Sequence, residues 1–441
     1  MKTRKHLSAS GLFRLVRQGF ARIKDARAEN TKISLRDALM SGFALFSLKE
    51  PSLLAFEERQ RTDGNLQRIY RLEQVPSDTQ MRTILDELDP ENLRPLFGDV
   101  FRQLQRGKVL EQMTFLGSYL LSLDGTGYFS SKEVHCDSCL EKRNKKTGEI
   151  TYSHQMLGAA IVHPERREVI ALMPEPIIKQ DGETKNDCER NPVPNELGRY
   201  AAKRFLAKLR QDHPHLPFIV IEDALSSNAP HLRELQRHDL RFILGVKESD
   251  HAFLFDYVEQ AAQEGRVRTL ELEEQGTVHR FRFLNQAPLN AANPDLLINF
   301  IEYWEIGPKK TRHFSWVTDL TVTEENVYAL MRGGRARWKV ENETFNTLKN
   351  QGYHFEHNFG HGRQHLSVVF ALLMMLAFLV DQTQQLACRL FQAVLQKKGS
   401  RIRLWEQMRA LFSTLEFNCM EDIWRAMLYG YKATVVILDT S

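Results

Sequence analysis

The chain has 441 residues, too many for one ordinary domain and enough for two or three, and 42% of them are hydrophobic, which supports a sizeable core. The formal net charge of +4 hides an uneven spread, because residues 1–36 carry ten Lys or Arg against only Asp25 and Glu29. A basic arm on a near-neutral body suits a polyanionic partner, either nucleic acid or an anionic membrane. The five cysteines, Cys136, Cys139, Cys188, Cys388 and Cys419, are odd in number. With no apolar leader or cleavage site at the basic N-terminus, they point to a reducing compartment. The longest apolar run, Leu366 to Val380, is interrupted only by Ser367 and is short for a membrane span. We therefore expect a soluble, cytoplasmic protein that does not contact membrane.

Residues 1–110 read as helical. Leu35 to Phe56 has roughly helical apolar spacing, Ser77 and Gln80 stand at capping-box spacing, and Pro90 opens another helix. A helical bundle with a basic face is one way to present a helix to DNA. The texture changes near residue 114. Phe115 to Leu123 is a predicted strand ending at Asp124-Gly125-Thr126, followed by strands over Tyr152 to Val162 and Arg167 to Met173. A helix over Asn195 to Arg210 leads to the short β-branched strand Phe218 to Ile221, which ends at Glu222-Asp223. A helix over Ala229 to Arg237 and a strand over Arg241 to Val246 complete the order β-β-β-α-β-α-β, which implies an α/β fold with a mixed sheet and flanking helices. Residues 250–315 interrupt this pattern with alternating, β-rich stretches over Arg266 to Phe283 and Leu296 to Glu305. Thr323 to Lys349 is read as one helix, weakened at Gly333-Gly334, and Leu366 to Phe391 as a long core helix.

Asp124 and Asp223 each end a strand. Adjacent strand ends would place the two carboxylates side by side, where they repel unless a cation lies between them. Magnesium prefers such oxygen ligands, and a pair of divalent ions can serve phosphodiester chemistry. A third ligand is expected from a later element, and Glu341 is the candidate. Arg337 lies four residues earlier, on the same face of the predicted helix, where it could meet a phosphate. Glu343 is the alternative third acid, on a different face.

These residues resemble a family. The strand order, with a β-rich insertion before the last acidic helix, is similar to the ribonuclease-H-like core of DDE transposases. More narrowly, Arg337-Trp338-Lys339-Val340-Glu341 and Phe345-Asn-Thr-Leu-Lys349 resemble the Tyr-Arg-Glu-Lys signature of the bacterial insertion-sequence-four-type group. Asp124-Gly125-Thr126 looks like its first catalytic Asp and Asp223-Ala224-Leu225 like its second. The signature Tyr falls on Gly334, and Lys349 is one residue late. The resemblance implies metal-dependent DNA cleavage and strand transfer at the ends of an insertion sequence, by cut-and-paste transposition. It implies magnesium, with manganese as a substitute, on Asp124, Asp223 and Glu341, and phosphate or DNA contacts from Arg337, Arg335 and Lys349. It also implies double-stranded DNA partners (terminal inverted repeats and target), a homodimer on DNA and a nucleoid-associated location. Some relatives hold a flipped base against an aromatic residue, a role open to Trp304 or Trp316, which otherwise read as core.

On this reading residues 1–110 form a helical DNA-binding domain that includes Arg4, Lys5, Arg14 and Arg17. Residues 111–250 and 316–385 form the catalytic core, 251–315 the β-rich insertion and 386–441 a C-terminal helical region. Cys136-Asp-Ser-Cys139 has the spacing of half a structural zinc site, with Cys188 and His154 as distal ligands; a hairpin with free thiols is the alternative. His354, His357, His361 and His365 fall in a Gly-containing loop, read as a DNA-backbone contact or a polar connector. The basic turn Lys142 to Lys146 is a target-DNA contact or a solvated hairpin tip. Two other functions compete with transposition: a catalytically silent, transposase-derived DNA-binding protein, and a different nuclease on the same core.

Overall fold

Ser8, Ser34 and Ser77 each precede an apolar-periodic stretch, and each caps a helix by accepting a backbone N–H from three residues ahead. A computed structural model describes residues 5–28, 31–60, 64–179 and 200–432. The chain divides into two units, one formed by Met1–Leu110 with Thr347–Ser441 and the other by Glu111–Asn346. The segment 347–385, which the sequence assigns to the catalytic core, thus falls in the same unit as the N-terminal helices.

The first unit begins with α1 (Ala9–Phe20), α2 (Leu35–Ser47), α3 (Leu53–Gln60), α4 (Gly64–Ile69), α5 (Asp78–Asp86) and α6 (Arg94–Arg106). Ser77 and Gln80 form the expected capping box at the start of α5. Pro90 opens a short 3-10 turn that leads into α6.

The second unit is built on one twelve-stranded sheet. Its strands are β1 (Thr114–Phe115), β2 (Ser118–Ser131), β3 (Leu140–Arg143), β4 (Ile150–Val162), β5 (Ile170–Ala171) and β6 (Glu175–Ile177). These are followed by α7 (Tyr200–Asp212), β7 (Phe218–Glu222), α8 (Ala229–Arg237), β8 (Arg241–Gly245) and α9 (Ala252–Gln263). Four long antiparallel strands come next, β9 (Arg268–Glu274), β10 (Thr277–Asn290), β11 (Asn293–Ile306) and β12 (Thr311–Thr318), then α10 (Val327–Arg335). The sheet runs β3-β4-β2-β7-β8-β12-β11-β10-β9, with β1 on β2 and both β5 and β6 on β4. Among the described residues, only β2–β7 and β7–β8 pair in parallel. Every residue of β7 is buried, as expected of a strand covered on both faces.

Three expectations are corrected here. β2 does not end at Asp124 but continues to Ser131 against β4. The β-rich region 251–315 is not set apart from the core sheet: it opens with α9, and its last strand, β12, pairs with β8 and so extends the same sheet. The helix expected over 323–349 is also broken. α10 ends at Arg335, a turn spans Ala336-Arg337, and a π-helical segment runs Val340–Phe345 before α11 (Asn346–Asn350).

The chain returns to the first unit with α12 (Leu366–Ala387), α13 (Arg389–Lys398), α14 (Arg401–Thr414) and α15 (Met420–Tyr429). α12 is long and apolar enough to cross a membrane, but 89% of its most apolar window is buried, so it forms the core of this unit. Gly42 of α2 allows the close approach, because a Cβ there would lie 2.8 Å from Leu373 of α12. Under this core Lys49 pairs with Asp381, whose carboxylate also accepts the Tyr353 hydroxyl at 2.7 Å. Burial pushes the Lys49 ammonium down and the Asp381 carboxyl up.

Candidate active site

Two strand neighbours set the position of the first two acids. The parallel register of β2 and β7 ends at Ser122↔Ile221. Asp124 lies two residues further along β2, and Asp223 is the residue that follows the last of β7, so both acids stand just past the paired stretch at the same end of the two strands. Adjacent strands are ~4.8 Å apart. Asp124 is buried, and its Oδ1 accepts the Gly125 N–H at 2.9 Å. Asp223 is half-buried and turns the chain out of β7, with its Oδ1 accepting the Leu225 N–H at 3.1 Å. Gly245 of β8 keeps this turn close to the sheet, since a Cβ there would meet Ala224 N at 3.2 Å.

Arg337 lies beside Asp124, with Nη1 3.6 Å from Oδ2. Its backbone is pinned to β2 by Ser122, whose Oγ donates to the Arg337 carbonyl at 3.0 Å. Glu341 is exposed on the π-helical segment. Arg337 stands in the turn Ala336-Arg337 and Glu341 in the π-helical segment, so the two do not belong to one regular α-helix as the sequence implied. The buried Phe345 fixes the segment against the sheet. A Cβ on Gly158 would lie 2.6 Å from the Phe345 ring, and Gly158 is the β4 residue paired with Asp124. Glu343 is half-buried on the same segment.

The three carboxylates do not gather within 4.8 Å of one another among the described residues. Their chemistry nonetheless fits a hard divalent cation, being oxygen donors with two of them at the same end of adjacent strands and the third exposed and free to turn. Arg337 supplies positive charge to Asp124 in this arrangement.

A cavity of ≈ 550 Å³ adjoins these residues. Asp223, Ala224, Lys247, Phe314, Trp316, Arg335, Arg337 and Trp338 are among those that line it. Trp338 is 49% exposed, and the Arg337 guanidinium lies 4.2 Å from its ring centroid. Trp316 is buried and packs on Gly334, while Trp304 stacks on His313, so the exposed aromatic at the cavity is neither residue that the sequence singled out. Arg335 is not a free cation either: it pairs with Glu305 and lies over Phe314 at 5.1 Å. Burial works against the Glu305 charge, but the Arg335 hydrogen bond holds its carboxyl below the usual range. Lys349 belongs to the other unit and pairs there with Glu356 at 2.8 Å.

Sequence reasoning missed a buried group behind Asp223. Glu222 accepts or shares a proton with His231 Nε2 at 2.6 Å and accepts the Ser226 hydroxyl at 3.2 Å. Ser227 Oγ lies 2.9 Å from His251 Nε2, and burial pushes the His251 imidazole down. The dipeptide Glu222-Asp223 was the available signal: both acids line the cavity, and Glu222 also holds Ser226 and His231.

In the first unit some of the basic residues expected to face DNA have acidic partners. Arg17 pairs with Asp37 and Glu73, Arg36 with Glu73, and Arg22 with Asp99. Arg14 lines a small cavity with Arg17, Arg68 and Arg71, whereas Arg4 lies outside the described residues. The His354 to His365 segment is a loop, as read. Its end is tied to Asp86, which accepts the N–H groups of Arg363, Gln364, His365 and Leu366 at 2.9–3.0 Å. Of the residues suggested for zinc, Cys136, Cys139 and His154 come together, whereas Cys188 lies outside the described residues.

No protein-family model matches the chain, and neither does any curated protein. The chain is similar to a solved piggyBac transposase synaptic complex with hairpin DNA, at 12% identity over 97% of this chain and 82% of that one, with a TM-score of 0.39. At that score neither fold nor activity is inferred from the likeness, and the insertion-sequence resemblance rests on the residues named above.

Proposed function

We propose that this chain is a DDE transposase that cleaves DNA at the ends of its insertion sequence and transfers the freed ends to a target. The observation that carries the reading is that β2 and β7 pair in parallel and Asp124 and Asp223 stand just past the end of that pairing. The sheet order from β5 and β6 through β4, β2, β7 and β8, antiparallel on one side of β2 and parallel on the other, supports a ribonuclease-H-like core. Magnesium or manganese held by Asp124, Asp223 and Glu341 would supply an activated oxygen nucleophile and stabilise the leaving oxygen. Asp124 and Asp223 fix the reacting end of the sheet, and Glu341 closes over it from the π-helical segment. Arg337 stands within reach of Asp124 and, once that charge is otherwise neutralised, orients a phosphate oxygen. Trp338 offers an exposed ring beside it for an unstacked base. The partners are double-stranded DNA ends and target, bound by a homodimer in the cytoplasm on the nucleoid, with residues 1–110 contributing to end binding.

The test compares wild type with Asp124→Ala, Asp223→Ala and Glu341→Ala on end-containing DNA. Each variant is expected to lose metal-dependent cleavage while binding the ends nearly as well as wild type. Parallel loss of binding and cleavage would contradict the assignment. One observation favours a second reading, a silent DNA-binding protein of the same origin: Arg337 lies where a cation would meet Asp124. That reading is supported instead if wild type binds ends and never cuts them.

A further inference from the structure

We propose that Cys136, Cys139 and His154 hold a structural zinc ion, separate from the carboxylate site. The local sequence builds the ligand cradle. Cys136 to Cys139 forms a tight turn in which the Cys139 N–H donates to the Cys136 carbonyl at 3.1 Å and the Cys136 N–H points to Cys139 Sγ at 3.5 Å. The turn leads directly into β3, whose first residue, Leu140, pairs with Ser153 of β4. Continuing that register one residue back sets Cys139 opposite His154.

The distances are those of a coordination polyhedron. Zinc–sulfur and zinc–nitrogen bonds of ~2.3 and ~2.05 Å at the tetrahedral angle give edges of ~3.75 Å between two sulfurs and ~3.55 Å between sulfur and nitrogen. The observed separations are 3.8 Å for Cys136 Sγ to Cys139 Sγ, and 3.5 Å from each sulfur to His154 Nε2. Three donors so spaced form one face of a tetrahedron, and a fourth ligand completes it. A disulfide is excluded at 3.8 Å, since that bond needs ~2.05 Å. All three side chains are buried, and Tyr128 stacks on the His154 ring at 6.0 Å between centroids. Two thiolates and an imidazole select zinc over magnesium, which takes oxygen.

The ion would fasten the β3 hairpin to β4. His154 and Gly158 lie on the same strand, and Gly158 pairs with Asp124, so the site braces the outer end of the strand that supports the candidate active site. It is a positioning element that touches no reacting atom.

The experiment measures metal in full-length protein purified without chelator. One zinc per chain is expected in wild type and in a Cys419→Ser control, with loss of stoichiometric zinc in Cys136→Ser and Cys139→Ser. Because those variants could fail to fold, cobalt replaces zinc in the wild-type protein as a second readout. Intense visible ligand-field bands with thiolate-to-cobalt charge transfer support tetrahedral thiolate coordination. A chelator should lower the wild-type melting temperature, and added zinc should restore it. Substoichiometric zinc in wild type, with no cobalt bands after reconstitution, overturns the proposal. So does full zinc content in both serine variants.

Discussion

Replacing Gly158 by alanine sets a methyl 2.6 Å from Cε1 and Cζ of Phe345, a separation that the buried ring must relieve by moving. Overpacking of this kind costs ~1–3 kcal/mol. Gly158 does not have a positive φ, so alanine suits its backbone and, without the clash, should stabilise by ~0.4–1 kcal/mol through the unfolded chain. The two effects have opposite signs, and the ring decides between them. Removing the ring with Phe345→Ala should itself cost ~3–5 kcal/mol. In that background Gly158→Ala should turn from destabilising to stabilising, a coupling of ~1–3 kcal/mol between the two positions, since the unfolded-chain term is common to both backgrounds. Urea unfolding followed by tryptophan fluorescence, to which Trp304, Trp316 and Trp338 of this unit contribute alongside Trp405 and Trp424 of the other, is compared between the variants. If Gly158→Ala has the same sign and size in both backgrounds, Phe345 does not anchor the Glu341 segment over the strand opposite Asp124.

Asp381→Asn should destabilise by ~3–5 kcal/mol, because it leaves the fully buried Lys49 ammonium against Trp405 and Tyr353 without its counter-charge, and a urea titration checks this. Burial opposes the Asp86 charge, but four backbone N–H groups hold its carboxyl below the ordinary 3.8. Its contribution to stability is therefore complete above that value and is lost as pH falls through the lower folded one. Asp86→Asn should flatten the melting temperature against pH below about pH 4, and an unchanged acid limb would count against the clamp. Trp338→Ala should spare metal-dependent nicking yet weaken retention of unpaired ends by ~1–3 kcal/mol in a gel-shift assay with frayed DNA, whereas equal loss on blunt duplex would remove the stacking role.

Much of the fold was legible because its signals are local. The Ser77 capping box, the β-branched run Phe218 to Ile221 and the helix Ala229 to Arg237 depend on near neighbours, and each appears where the residues put it. The end of β2 was not legible. Asp124-Gly125-Thr126-Gly127 looks like a turn, but the small residues instead let the strand continue against β4 beneath the Phe345 ring. The break in the 323–349 helix was misplaced for a related reason. Gly333 and Gly334 are weak helix formers, yet they stay helical because Phe115, Ile243 and Trp316 press against them, and this contact also explains why no tyrosine occupies position 334. One extra residue in the π turn shifts the residues that follow without altering composition, so the register of this segment could not be found by counting. The ion pairs of Arg335, Arg17 and Lys349 were likewise invisible, since their acidic partners are distant in sequence or lie on another element. Cys136-x-x-Cys139 was visible by spacing with His154 as a distal candidate, and the β3–β4 register is what sets His154 opposite Cys139.

The central claim is tested most directly by cleavage of labelled DNA carrying the sequences that flank this protein's own gene. Wild type and Asp124→Ala are compared in magnesium and then in manganese. Transposition predicts cuts at a defined end that need the metal and vanish in the variant. Binding of the same DNA with no cutting in either metal would contradict it.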